Sequence, residues 1–221
     1  MCGRYTVLTE DEIIEIREII QNLSLRIIRD DFENYDEKPG EICPSDHAPV
    51  ITRNDEGIAF ESAKWGFKKW DSPGVIINAR SETIKQKSTF AKHLETGRCV
   101  VPAGEFFEWE KHNKKSSDSS MKKHYAKDRE GNLLFLAGLY RDNKDEKIPG
   151  KMIREFVIIT KEATGEMAKI HDRMPVILRV DQLEAWLTGE MTPEDLEKRE
   201  YDIKVEKCND EEADSRQISL F

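Results

Sequence analysis

Between residues 99 and 180 the chain returns repeatedly to short runs of branched and aromatic side chains: Cys99–Val101, Phe106–Trp109, Leu133–Tyr140, Phe156–Thr160 and Val176–Val180. Such residues crowd the turns of a helix but fit a pleated sheet, and runs this short bury their apolar sides only by pairing with one another. The core is therefore expected to be mostly β. Upstream, Val50–Ile51 and Ile58–Phe60 read as strands joined by an Asn54–Gly57 turn, and Val75–Ile77 as a third, while Pro39, Gly40, Pro44 and Pro49 break the stretch around them. Helical signals are fewer. Thr9 and Glu12 make a capping box ahead of Ile13, Ile16, Ile20 and Leu23, which predicts an amphipathic helix over residues 10–22. Glu82–Thr96 is expected to hold one helix, or two short ones broken near Ser88, closed by Gly97. Asp181 and Glu184 are expected to cap a short helix bearing Leu183, Trp186 and Leu187, and Thr192–Pro193 to start another.

A chain of 221 residues can bury one continuous core, so a single domain over residues 1–208 is expected, with a fraying tail at 209–221. Lys111–Lys123 and Asp142–Gly150 read as loops. No apolar run reaches the ~18 residues that span a bilayer, and the first twenty lack the order of a secretory signal, which predicts a soluble monomer, cytoplasmic and nucleoid-associated if bacterial. Cys2, Cys43, Cys99 and Cys208 show no close pairing, so neither disulfides nor a metal site is expected.

The net charge of −9 would disfavour a nucleic-acid partner if spread evenly. It is not spread evenly. Residues 10–41 and 190–214 each hold 11 acidic and 4 basic residues, leaving 27 basic against 22 acidic elsewhere, enough for a local basic groove.

Cys2 follows the initiating methionine, and a residue that small lets Met1 be removed. The new terminus then carries two nucleophiles. Its α-amine titrates near ~7.7–8.0, so about a tenth is unprotonated at pH 7 and can condense with an aldehyde. The thiol two bonds away can then close a five-membered thiazolidine, an intramolecular and therefore fast step. Position alone also fits a terminal residue of no consequence.

Asn78, after a strand run, can hold that amine through its side-chain carbonyl, and Arg80 shares its strand face and can clamp a phosphate. Taken alone, the pair also fits a strand-end turn and a solvated cation. Glu108 stands among aromatic residues that would desolvate it toward the range of a general acid. Strict alternation, which puts Phe107 and Trp109 on the opposite face, fits an outward carboxylate equally well. His171 lies between Ile170 and Asp172, close to Arg173 and Pro175; most lone histidines are filler, yet an imidazole also suits proton transfer. Lys64–Trp70 interleaves cations and aromatics as single-stranded DNA sites do, or as a core strand would; Trp65 is expected inward and Trp70 exposed.

The chain resembles the SRAP family, the SOS-response-associated peptidases that process abasic sites. The resemblance covers most of the chain and rests on Met-Cys-Gly-Arg at 1–4, Trp-Gly-Phe at 65–67, Ile-Asn-Ala-Arg-Ser-Glu-Thr at 77–83, Pro-Ala-Gly-Glu-Phe-Phe-Glu-Trp at 102–109 and Ile-His-Asp-Arg-Met-Pro at 170–175. It implies a single α+β domain with a barrel-like core of mixed or antiparallel strands and peripheral helices. It also implies a covalent link from Cys2 to abasic sites in single-stranded DNA, self-processing loss of Met1, a lyase activity and no cofactor. Cys2, Asn78, Glu108 and His171 would be catalytic, with His171 moving protons at the Schiff base. Arg4, Arg80 and Arg173 would hold phosphates, with Thr160 and Trp70 also at the DNA. Glu105 stands where the family commonly has glycine, and Glu41, Cys43 and Ser45 depart from a pattern resembling Asn-x-Ala-Pro-Thr, so the match around Pro44 is weaker. Two other readings stay open: an N-terminal-nucleophile hydrolase, with the Cys2 thiol attacking an amide, and a reversible binding module indifferent to Cys2 and Glu108. Repair and replication partners are not legible.

Overall fold

The computed structural model describes residues 2–6, 8–32, 40–110, 122–145, 148–198 and 200–208. The expected tail at 209–221 and most of the 111–123 loop fall outside the described residues. In chain order the strands are β1 (Arg4–Thr6), β2 (Ile27–Asp30), β3 (Glu41–Ile42), β4 (His47–Asn54), β5 (Gly57–Trp65), β6 (Phe67–Lys68), β7 (Val75–Ile76) and β8 (Asn78–Arg80). They continue as β9 (Arg98–Ala103), β10 (Glu105–Trp109), β11 (Lys123–Asp128), β12 (Leu134–Lys144), β13 (Met152–Glu162), β14 (Arg173–Pro175), β15 (Ile177–Leu178) and β16 (Ile203–Lys207). The helices are α1 (Glu10–Gln21), α2 (Ser88–Ala91), α3 (His93–Thr96), α4 (Leu183–Thr188) and α5 (Pro193–Glu197).

Five of these strands close on themselves. β5 pairs antiparallel with β4, β4 with β9, β9 with β12 and β12 with β13, and β13 returns to β5 in parallel at Glu155–Lys64 and Phe156–Trp65. Closure leaves no unpaired edge within the ring, and the fold is α+β with a barrel core, as the resemblance implied. A second sheet runs β16-β11-β10-β1-β3 and carries the chain's first strand.

The ring strands are apolar on both faces. Ile51, Phe60, Val100, Val157 and Ile159 pack with Ile13, Ile16 and Ile20 of α1 and with Trp186 and Leu187 of α4. Their neighbours Val50, Val101, Phe156 and Ile158 turn the other way, onto Cys2, Tyr5 and Phe106 of the second sheet. The period of two thus sorts adjacent residues into a layer under the helices and a layer that meets residue 2.

The Thr9–Glu12 box forms and starts α1, and Thr192 caps α5 with Asp195. Three expectations are corrected. The Glu82–Thr96 stretch is a 3-10 turn at Ser81–Thr83 followed by α2 and α3, each a single turn. Asp181 and Glu184 do not box α4, since Asp181 pairs with Arg179 and the Glu184 carboxylate accepts from the Ser24 amide, while Gln182 accepts from the Arg179 amide. Strand β12 also runs on through Lys144, and Lys123 opens β11 rather than ending a loop.

Gly97 closes α3, but not by a left-handed turn. A Cβ there would sit 2.3 Å from the carbonyl oxygen of Tyr140, whose amide donates to the Gly97 carbonyl at 2.6 Å. Close approach of β12 is what excludes a side chain. Gly97→Ala is expected to cost about 1–3 kcal/mol, a fall in Tm of roughly 2–10 °C, measured by thermal circular dichroism.

Candidate active site

Residue 2 enters the site from β1, which lies between β10 and β3 with Arg4 opposite Phe107 and Tyr5 opposite Phe106. Cys2 is fully buried in the layer between the ring and the second sheet. Burial pushes its thiol far above the usual range, and the nearby Glu108 charge adds to this. The sulfur is a protonated thiol rather than a resting thiolate.

Asn78 reaches the same residue from β8, which runs parallel to β13 with Asn78 opposite Ile158 and Arg80 opposite Thr160. Two bonds fix the approach to it: the Trp65 indole donates to the Ile77 carbonyl at 3.1 Å and the Ile158 amide donates to it at 3.0 Å. Asn78 then donates through Nδ2 to the Cys2 carbonyl at 2.8 Å, while its Oδ1 is buried without a hydrogen-bond partner among the described residues. A buried acceptor left unmade costs about 1–3 kcal/mol, so this orphan points to a missing donor.

Glu108 is only 2 % exposed, and Phe106 and Phe107 beside it are buried as well. β10 is covered on both faces, so simple alternation misjudged it. Burial raises the Glu108 carboxyl above the ordinary range, against a downward pull from His171. That pull places His171 within electrostatic reach of Glu108. Its Nδ1 lies 2.9 Å from the Arg173 amide and 3.0 Å from Asp172 Oδ1. With its proton on Nε2, the ring accepts from the Arg173 amide through Nδ1. Asn78 is thus bonded to Cys2, and Glu108 lies within electrostatic range of both Cys2 and His171.

The expected phosphate contacts are less alike. Arg80 is exposed and makes no ion pair among the described residues. Arg173 is engaged: its guanidinium forks onto Glu82 at 2.6 and 3.0 Å and donates to the carbonyl of buried Thr160 at 2.6 Å. Although burial alone would raise Glu82, the bonds and charge from Arg173 hold it below the usual carboxylate range. Thr160 thus serves Arg173 rather than facing solvent. Arg4 pairs with Glu41 at 3.1 Å.

Trp65 is buried and Trp70 is 87 % exposed, as expected. The segment bearing Trp70 is held by a buried pair, Arg141 with Glu155 at 2.8 Å. Arg141 donates to the Lys68 carbonyl, Glu155 accepts from the Lys68 amide, and the guanidinium lies 4.4 Å from the Phe67 ring centroid.

Sequence reasoning passed over Tyr5. Its hydroxyl is buried with no hydrogen-bond partner among the described residues, and its ring meets Trp65 edge-on at 5.1 Å. A tyrosine three residues after Cys2 in a strand was the available signal. At residue 45 a non-glycine carries φ 79 in a turn whose Asp46 amide donates to the Cys43 carbonyl at 3.0 Å. Proline at the second position and a left-handed third residue are the marks of a type II turn. Among the described residues no helix is long and apolar enough to cross a membrane, and no three His, Cys, Asp or Glu side chains group to hold a metal ion.

A profile described as SOS response associated peptidase (SRAP) matches residues 1–219. The chain belongs to the SRAP family. Among its relatives, the abasic site processing protein YobE of Bacillus subtilis is 32% identical over 201 residues, covering 88% of this chain and 85% of its own. The abasic site processing protein YedK of Escherichia coli is 27% identical over 176 residues, 76% and 75% of the two chains. Among solved structures, a Bacteroides thetaiotaomicron protein aligns with a TM-score of 0.75 at 20% identity, covering 96% and 94%. A phage-related protein of Bordetella bronchiseptica aligns with 0.69 at 24% identity, covering 94% of each. At those identities the structural likenesses speak for the fold.

Burial of Glu108 makes stability depend on pH. A carboxyl raised in the folded state is stabilising below its unfolded value and loses that contribution as pH rises through the folded one. Glu108→Gln is expected to melt with wild type near pH ~4 and above it near pH ~8, the gap widening with pH in thermal melts.

Proposed function

We propose that this protein captures abasic sites in single-stranded DNA by linking its own amino terminus to the exposed sugar aldehyde. The observation that carries this reading is Asn78: one end of its amide holds the Cys2 carbonyl, and the other is a buried acceptor awaiting a donor. The α-amine of Cys2, once Met1 is cleaved off, is that donor. Relatives named abasic site processing proteins supply the substrate.

The closed furanose must open first. Glu108, whose carboxyl burial raises above the ordinary range, donates to the ring oxygen as the anomeric hydroxyl gives up its proton, leaving the aldehyde. The neutral amine adds to the carbonyl carbon, and the carbinolamine loses water to give an imine, with His171 moving the protons. The thiol then adds across the imine: sulfur bonds to carbon, its proton goes to nitrogen, and the net change is the loss of one water. A resting thiol suits this order, since the amine acts first and sulfur is needed only to close the ring.

Arg80 would hold a flanking phosphate. Trp70 would stack a base beside a cleft of ≈ 510 Å³ lined by Lys64, Lys68, Lys69 and Lys144. The protein is expected to act as a soluble monomer.

Incubation with an abasic oligonucleotide is expected to add the oligonucleotide's mass to the protein, seen by intact mass spectrometry and denaturing gel. Cys2→Ala should abolish that adduct; an undiminished adduct would refute the proposal. Cys2→Ser keeps an amine but cannot form the thiazolidine, so its adduct should survive only after borohydride reduction. Arg80→Ala should weaken binding and reduce the slope of log Kd against log salt by about 0.7, read by fluorescence anisotropy.

A further inference from the structure

Two cations from different strands converge on one carboxylate in the sheet that carries β1. Arg4 Nη1 of β1 lies 3.1 Å from Glu41 Oε2 of β3, and Lys123 Nζ of β11 meets Glu41 Oε1. Both cations lie over aromatic rings. The Arg4 guanidinium is 5.5 Å from the Trp109 centroid, and Lys123 Nζ is 4.1 Å from that of Phe107 and 5.9 Å from that of Trp109. Strand order explains the meeting: Arg4 is opposite Phe107, Lys123 opposite Trp109, and Glu41 opposite Thr6 across β1.

The arrangement differs from the other guanidinium pair nearby. Glu82 offers both oxygens to the single Arg173 in a closed fork. Glu41 instead spends one oxygen on each of two cations, as a phosphodiester shares its two free oxygens between two donors. Arg4 forms the wet rim, with its side chain 34% exposed, while the Glu41 and Lys123 side chains are 8% and 14% exposed. Two residues of chain span at most ~7 Å, so the Arg4 backbone lies within that distance of the Cys2 backbone.

We propose that Arg4 and Lys123 form a phosphodiester subsite, floored by Phe107 and Trp109, whose resident anion in the DNA-free protein is the Glu41 carboxylate. The inference rests on the DNA reading above and adds Lys123 and Glu41 to it. Binding of the strand is then an exchange of anions. The phosphate next to the abasic sugar enters as Glu41 leaves, and the site pays for loose, non-specific contact by having to displace its own carboxylate. Rigid pairing in the free protein keeps both long cationic side chains extended over the rings, ready for the incoming group.

The test uses the full chain and a short single strand carrying a tetrahydrofuran abasic analogue, which has no aldehyde and so reports binding alone. Glu41→Gln is expected to tighten binding roughly three- to tenfold at low salt. The slope of log Kd against log salt should stay close to that of the wild type, because the same phosphate is neutralised in both. The gain should vanish in the double variant with Lys123→Met. Unchanged or weaker binding by a folded Glu41→Gln protein overturns the inference and leaves the Cys2 chemistry standing. Should Glu41→Gln not fold, Lys123→Met alone decides: a slope shallower by about 0.7 supports the subsite, and an unchanged slope overturns it. A wild-type protein that does not bind the strand at all overturns both this and the reading on which it rests.

Discussion

The ring closes through two parallel pairs, Lys64 with Glu155 and Trp65 with Phe156, and the site hangs from that seam. Without it β5 and β13 would keep only the short β2, β8 and β14 as partners outside the ring. With it, the Trp65 indole pins the Ile77 carbonyl, the next residue is Asn78, and its amide pins Cys2. Gly66 follows directly at φ 116, with its amide bonded to the Phe156 carbonyl at 2.7 Å. A Cβ there would lie 2.7 Å from Val75, so the chain leaves the seam through a turn only glycine fits comfortably.

Much of this was legible in the sequence, and unevenly so. The β core was readable because branched residues repeat in runs that no helix would favour, and α1 and α5 because their capping boxes are local. Glu108 was ambiguous for a physical reason: alternation predicts a face only when one side of a sheet meets water, and β10 is covered on both. Arg173 read as a free cation because nothing near it in sequence shows that Glu82, ninety-one residues away, will fork onto it. The α4 cap failed likewise, since Glu184 is drawn off by the Ser24 amide from a distant part of the chain. Long-range polar partners are the class of contact that local pattern cannot supply.

On the reading proposed above, acidity and nucleic-acid binding coexist because the cations are not equally available. Arg4, Arg141, Arg154 and Arg173 each carry an internal carboxylate, whereas Arg80 does not among the described residues. On that reading the net charge of −9 says little about the path of the strand, where the effective charge depends on which pairs open when a polyanion arrives.

The position of Cys2 has a consequence for biogenesis. On the reading that Cys2 becomes the amino terminus, β1 is among the first segments to leave the ribosome, yet its partner β10 ends at Trp109, and Asn78 is seventy-six residues downstream. At translation rates of roughly 5–20 residues per second, the nascent amino terminus stays unpaired and accessible for about 5–20 seconds. On the reading proposed above, a methionine-excising enzyme has that interval, and once the ring closes over residue 2 the opportunity passes to the protein's own chemistry.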